Sequence, residues 1–181
     1  MKKLFATLLC LVVLGTASAS AQGRLPAYDA RINPQLLDPW SGGQGYNDAR
    51  WSAQWITSPE ADRGYGVYFF RKEFALDAKP AEFIVHVSAD NRYKFYVNGT
   101  QVAAGPAKGD VRNWSFDTVD LAPWLQAGDN LVAAVVWNFA EWRPVALMSL
   151  GQSAFLLQGN GDAERALDTG KGWQVLRTDV L

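Results

Sequence analysis

The sequence predicts an all-β domain, a two-sheet sandwich of the jelly-roll kind, and three observations carry that prediction. Short segments that alternate apolar and polar residues recur from Trp51 onward, separated by Gly, Pro, Asn and Asp. An Asn98-Gly99 pair sits between two of them, and beyond residue 21 no stretch of ordinary helix length keeps a 3.6-residue period. Alternation gives each segment one core face and one solvent face, and many such strands at turn-punctuated spacing pack as a sandwich.

In chain order, residues 1–21 read as an export signal. Lys2-Lys3 precede an apolar run from Leu4 to Leu14, then small residues ending Ala19-Ser20-Ala21, the order that a signal peptidase cuts, here after Ala21. The run is short for a bilayer, so the expectation is an exported protein, periplasmic or extracellular, without a membrane span. Residues 22–50 hold Pro26, Pro34, Pro39 and the run Ser41-Gly42-Gly43-Gln44-Gly45 without periodicity. They read as an irregular leader that wraps a β-sandwich domain over residues 51–181 or links it to the signal.

Residues 67–75 (VYFFRKEFA) set Phe70, Lys72 and Phe74 against Phe69, Arg71 and Glu73. Residues 82–89 (EFIVHVSA) set Phe83, Val85 and Val87 against Ile84, His86 and Ser88. Each is a half-buried antiparallel strand by pattern. In residues 88–106 (SADNRYKFYVNGTQVAAGP), Tyr93, Phe95 and Val97 share one face and Lys94 and Tyr96 the other. Asn98-Gly99 supplies the positive φ angles of a two-residue hairpin turn, after which Val102 and Ala104 resume the pairing.

Residues 114–118 are a further strand candidate, and Asp120 can cap a short helical turn over residues 121–125, where Pro123 is tolerated early. Residues 127–130 (AGDN) read as a turn launching residues 131–137 (LVAAVVW), a near-continuous apolar run expected to be buried on both faces. One long connection, residues 138–153, leads to the last strand candidates at 154–157 and 173–176. The chain stops soon after without a polar tail, which reads as the front part of something longer.

Composition excludes several classes of function. Without Lys2 and Lys3, fifteen basic residues face eighteen acidic ones, a net charge of −3, so there is no basic footprint for nucleic acid. Cys10, the sole cysteine, leaves with the signal, and with it go disulfides and thiol catalysis. His86 is the sole histidine and cannot build a usual zinc site; it reads as a sheet-face residue. No nucleophile elbow, dinucleotide fingerprint or phosphate loop is present, so neither a cofactor nor a metal is expected.

Glycoside hydrolysis needs two carboxylates facing across the scissile bond. Asp90, Asp110, Asp117, Asp120, Asp129 and Glu141 are the candidates, but Asp90 reads as opening a strand, Asp120 as a cap and Asp129 as a turn residue. Asp110 and Glu141 lie in loops beside Trp and Arg, where a surface salt bridge also accounts for them. Residues 138–144 (NFAEWRP) cluster an amide, a carboxylate, an indole and a guanidinium. Hydrogen-bonding groups beside a stacking face suit a sugar, and Trp with Arg equally suits an interdomain surface. The candidate carbohydrate contacts are therefore Asn138, Glu141, Trp142 and Arg143, with Asp110 and Trp114 earlier in the chain. For any one of the eight tryptophans, packing in a core is the competing role.

The wording of residues 88–106, of 105–125 (GPAKGDVRNWSFDTVDLAPWL) and of 127–149 (AGDNLVAAVVWNFAEWRPVALMS) resembles the N-terminal sugar-binding-like β-sandwich module of bacterial α-L-rhamnosidases, and more loosely that of other large glycoside hydrolases. The resemblance covers most of the chain from about Trp51. It implies a galactose-binding-domain-like sandwich that braces a later (α/α) barrel, where such enzymes keep their acid and base, so no catalytic residue carries over. The expected partners are then that downstream catalytic domain or a rhamnose-containing glycoside or polysaccharide. A free-standing secreted carbohydrate-binding module is the alternative.

Overall fold

The computed structural model describes residues 28–32, 51–109, 114–145, 147, 149, 151 and 153–178. The strands are β1 (Tyr28–Asp29), β2 (Arg31–Ile32), β3 (Ile56–Thr57), β4 (Gly66–Leu76), β5 (Ile84–Ala89), β6 (Arg92–Val97), β7 (Thr100–Gly105), β8 (Asp117–Asp120), β9 (Gly128–Asn138), β10 (Ala154–Gly159) and β11 (Gln174–Thr178). Helix among the described residues is confined to three short 3-10 turns, Ala122–Trp124, Ala140–Trp142 and Glu164–Leu167. A six-stranded sheet runs β1-β11-β4-β9-β6-β7 and a five-stranded sheet runs β2-β3-β10-β5-β8. Each pairing is antiparallel. The protein is an all-β sandwich.

The inner faces meet where the alternation placed the apolar residues. In the six-stranded sheet Val175, Phe70, Ala134, Phe95 and Ala103 stand opposite one another in one row across five strands. The small Ala134 leaves room between Phe70 and Phe95 for a ring from the other sheet, and Phe155 of β10 fills it. Its ring stacks on Phe70 at 5.6 Å and lies 6.3 Å from Phe95 and 5.4 Å from Trp173. Val85, Val87, Ala89 and Leu157 extend the same core.

The hairpin forms around Asn98 (φ 48°) and Gly99 (φ 85°), with Val97 opposite Thr100. The register then shifts: Tyr96 faces Gln101 but Phe95 faces Ala103. Val102, expected to resume the pairing, is therefore the extra residue of a bulge, which bends this edge of the sheet. Asn98 also locks the end of β9. Its Nδ2 donates to Trp124 O and Asn130 Oδ1, both at 2.9 Å, and its Oδ1 accepts from Leu131 N. A Cβ on Gly99 would meet nothing within 4 Å, so Gly99→Val tests the backbone angle alone. It is expected to cost more than about 1 kcal/mol in a denaturation titration, with Thr100→Val costing less. An unchanged midpoint for Gly99→Val would contradict the positive-φ turn.

Four expectations need correction. The strand expected at residues 114–118 is β8, which starts at Asp117, because Trp114 and Phe116 turn to a cluster on the outer side of the five-stranded sheet. The residues 127–130 read as a turn already pair, Gly128 with Leu76 and Asp129 with Ala75; a φ of 84° at Gly128 makes the bend within one residue. β9 is not buried on both faces: Val132, Ala134 and Val136 are fully buried, while Leu131, Ala133, Val135 and Trp137 are half-buried. The doubly buried strand is β10, since Phe155 and Leu157 face the main core while Ala154 and Leu156 lie under Trp55 and Trp114. Finally, two short strands, β1 and β2, lie within the stretch read as irregular.

Candidate functional site

Between β5 and β6 the chain passes from one sheet to the other through just two residues, Asp90 and Asn91. So tight a corner needs a left-handed residue, and Asn91 adopts φ 80°, which asparagine tolerates better than most side chains. Asp90 was expected simply to open a strand, yet it and Asn91 are buried, at 0% and 1% exposure. Asp90 N donates to Ala154 O at 2.9 Å. Asn91 Nδ2 donates to Ser149 Oγ at 3.1 Å and its Oδ1 accepts from Phe139 N at 3.4 Å.

At the same end, β9 finishes at Asn138, opposite Gly66. Asn138 Nδ2 donates to Ser153 Oγ at 3.0 Å and its Oδ1 accepts from Ala140 N at 2.9 Å. Ala140 takes φ 49°, a conformation that costs a non-glycine residue of order 1 kcal/mol and persists where its surroundings hold it. The Asn138 carboxamide does so here. Two buried asparagines thus tie down both flanks of the connection, and the 3-10 turn Ala140–Trp142 stands on this base. The Tyr68 hydroxyl, buried and without a partner among the described residues, would lie 2.9 Å from a Cβ on Gly66, so it points to this end of the sandwich too.

The structure separates the sequence-predicted site residues. Glu141, Trp142 and Arg143 are exposed together on the turn, Trp142 at 78% and the nearby Val145 fully; Arg143 Nη1 donates to Ala140 O at 3.4 Å. Asn138 is buried with both ends of its amide engaged, so it positions the loop and offers nothing to a ligand. Trp114 is buried as well: its indole N–H donates to Ser88 Oγ at 3.0 Å and its ring meets Trp55 edge-to-face at 5.6 Å. It packs the outer cluster of the five-stranded sheet and presents no stacking face. Asp110 lies outside the described residues. Sequence reasoning missed Asn91, Ser149 and Ser153; the available signal was a polar Asp-Asn pair squeezed between two strong strand patterns.

Of the remaining carboxylates, Asp117 and Asp120 have local partners. Asp117 Oδ2 accepts from the Tyr93 hydroxyl at 2.6 Å. Burial holds the Tyr93 phenol well above its ordinary range and this hydrogen bond raises it further. Asp120 Oδ1 accepts from Phe83 N at 2.9 Å and Ala122 N at 3.0 Å; it bonds the first residue of the turn from just outside it, the N-cap position being Leu121 and not Asp120 as expected. Asp129 is exposed at the start of β9. Among the described residues no group of three or more His, Cys, Asp and Glu side chains is placed to hold a metal ion, and no helix is long and apolar enough to cross a membrane. A groove of about 450 Å³ opens at the far end of the sandwich, beside Glu73, Asn98 and Asn130. Both of its amides are taken up by the turn hydrogen bonds there.

No protein-family model matches the chain, and no curated protein matches it. Among solved structures it is similar to a rhamnosidase of family GH78 from Bacillus sp. GL1, at 23% identity and a TM-score of 0.59, over 71% of this chain and 14% of that one. It is also similar to an α-L-rhamnosidase from Dictyoglumus thermophilum, at 16% identity and a TM-score of 0.50, over 72% of this chain and 17% of that one. The chain therefore has the β-sandwich fold of one part of these rhamnosidases, a part amounting to 14–17% of their length.

Proposed function

We propose that this chain is an exported, non-catalytic accessory sandwich of an α-L-rhamnosidase-like glycoside hydrolase, and that its loop of residues 138–145 is the contact surface that braces the catalytic part and meets its carbohydrate. One observation carries the reading: a large indole stands 78% exposed on a turn that buried asparagines hold in a costly conformation. An aromatic ring presented to solvent on an anchored turn is what a sugar face or a neighbouring domain docks against. The shared fold with part of two rhamnosidases supports the class, and the order of residues in the first 21 positions supports export. The local engagement of Asp117 and Asp120 supports a role without catalysis.

The purified chain is expected to release no product from an aryl α-L-rhamnoside; turnover abolished by Glu141→Gln or Asp110→Asn would overturn the non-catalytic reading. Trp142→Ala, at so exposed a site, should change folding stability by no more than about 0.5 kcal/mol and weaken retention on a rhamnose-bearing polysaccharide. Retention unaffected by Trp142→Ala removes the sugar contact. Bracing then predicts a lower thermal midpoint for the same substitution in a protein that carries the catalytic part. A free-standing carbohydrate-binding module, the second reading, is favoured by the same exposed indole and predicts a stop codon directly after Leu181.

A further inference from the structure

The outer face of the five-stranded sheet is divided in two. Over Ala154 and Leu156 it is roofed by Ala53, Trp55 and Trp114. Beside that roof runs a row of polar side chains in strict register: Thr118 of β8 stands opposite His86 of β5, and His86 opposite Gln158 of β10. Ser52 continues the row, its Oγ 3.2 Å from Gln158 Oε1 and 2.5 Å from Asp168 Oδ2. His86 Nδ1 is 2.9 Å from Thr118 Oγ1 and its Nε2 3.3 Å from Asn160 Oδ1.

Two aromatic rings flank the histidine. Trp51 lies 5.8 Å and Phe116 5.4 Å from its centroid, and they meet each other edge-to-face at 5.3 Å. Phe116 keeps 40% of its surface accessible, and Ser52, Thr118 and Asn160 are exposed. The row therefore offers the Thr118 hydroxyl and the Asn160 carboxamide at the foot of an aromatic wall, with His86 holding the two in place through its ring nitrogens. Its single acidic group, Asp168, is engaged by Ser52 Oγ and by the Gly159 amide at 2.8 Å.

We propose that this row is a carbohydrate subsite separate from the 138–145 loop, taking one neutral sugar ring. The C–H face of the sugar packs on Phe116 and Trp51, and its hydroxyls bond Thr118 and Asn160. Chemistry selects this class. A purely apolar partner would strip water from Thr118 and Asn160 and return no hydrogen bond, a loss of roughly 1–3 kcal/mol for each group. An anion would find no opposite charge in the row, and the one carboxylate there, Asp168, is already engaged by Ser52 and Gly159 and so is not free for a cation. A sugar has an apolar C–H face and a rim of hydroxyls, matching both halves of the surface. The subsite does not depend on the reading of the loop, since the two are built from different strands.

The test is a nuclear magnetic resonance titration of the chain with methyl glycosides of L-rhamnose, D-galactose and D-glucose, following the Trp51 indole N–H and the His86 ring signals. At least one glycoside is expected to move both sets saturably. Phe116→Ala and Thr118→Val should each weaken that binding by about tenfold or more, whereas Phe69→Ala, on the outer face of the six-stranded sheet, should leave it unchanged. Both substitutions are at exposed positions, and retained signal dispersion shows that the fold survives them. Failure of all three glycosides to move the Trp51 and His86 signals would overturn the proposal, as would binding that survives Phe116→Ala undiminished. Either result leaves the loop reading intact.

Discussion

Replacing Phe155 by alanine should lower folding stability by about 3–5 kcal/mol. The ring is fully buried, and aromatic side chains of the six-stranded sheet and its approach converge on it. Phe70, Tyr93, Phe95 and Trp173 surround it at centroid distances of 5.4–6.5 Å. Each of these neighbours is on a strand or directly beside one, so none can swing in to fill the space, and a poorly collapsing cavity falls at the costly end of such substitutions. A shift in urea midpoint at constant slope reports the loss. Phe155→Leu, which keeps much of the volume, should cost less; a midpoint unchanged in Phe155→Ala would mean that the sheets do not pack through this ring.

Gly159→Ala should be nearly as damaging, by about 3 kcal/mol, for a different reason. A methyl carbon there would lie 2.3 Å from the carbonyl carbon of Glu164 and 2.4 Å from Arg165 N. Both are backbone atoms of the 3-10 turn Glu164–Leu167, so no rotamer change relieves the clash and the turn must move off β10. That motion would also strain the bonds from Gly159 N to Asp168 Oδ1 and from Thr169 N to Leu157 O. Gly161→Ala is the matched control, because its methyl would meet the flexible carboxylate end of Glu164 at 2.7 Å. Equal midpoints for the two variants in a chemical denaturation series would show that the turn yields freely.

How much of this was legible in the sequence depended on whether a residue's role was local. The hairpin could be read because Asn98-Gly99 sets its own dihedral angles, and β4 and β5 because alternation over six or more residues reports a half-buried sheet directly. Trp114 was misjudged, since nothing in a tryptophan's neighbours along the chain says whether its ring meets solvent or Trp55. Asn138 was likewise taken for a ligand contact because of the loop around it. Its actual partner, Ser153 Oγ, lies fifteen residues away across a connection with no periodic pattern. Two-residue strands such as β1 and β2 carry no period at all, and they form because unpaired edges of the sheets lie within reach.

Those two strands bear on how the protein avoids sticking to itself. β1 lines the outer edge of β11 and β2 the outer edge of β3, with Ala30 between them anchored through its N–H to Trp173 O. Five residues thus cover one flank of both sheets. An open sheet edge is a template for pairing with any extended chain, including another copy of the same molecule. On the opposite flank the bulge at Val102 bends β7, a device that also discourages edge-to-edge association. A domain trimmed to begin at Trp51 would keep its core intact yet bare two adjacent edges at once, so its solubility is set by a segment that contributes little to its packing.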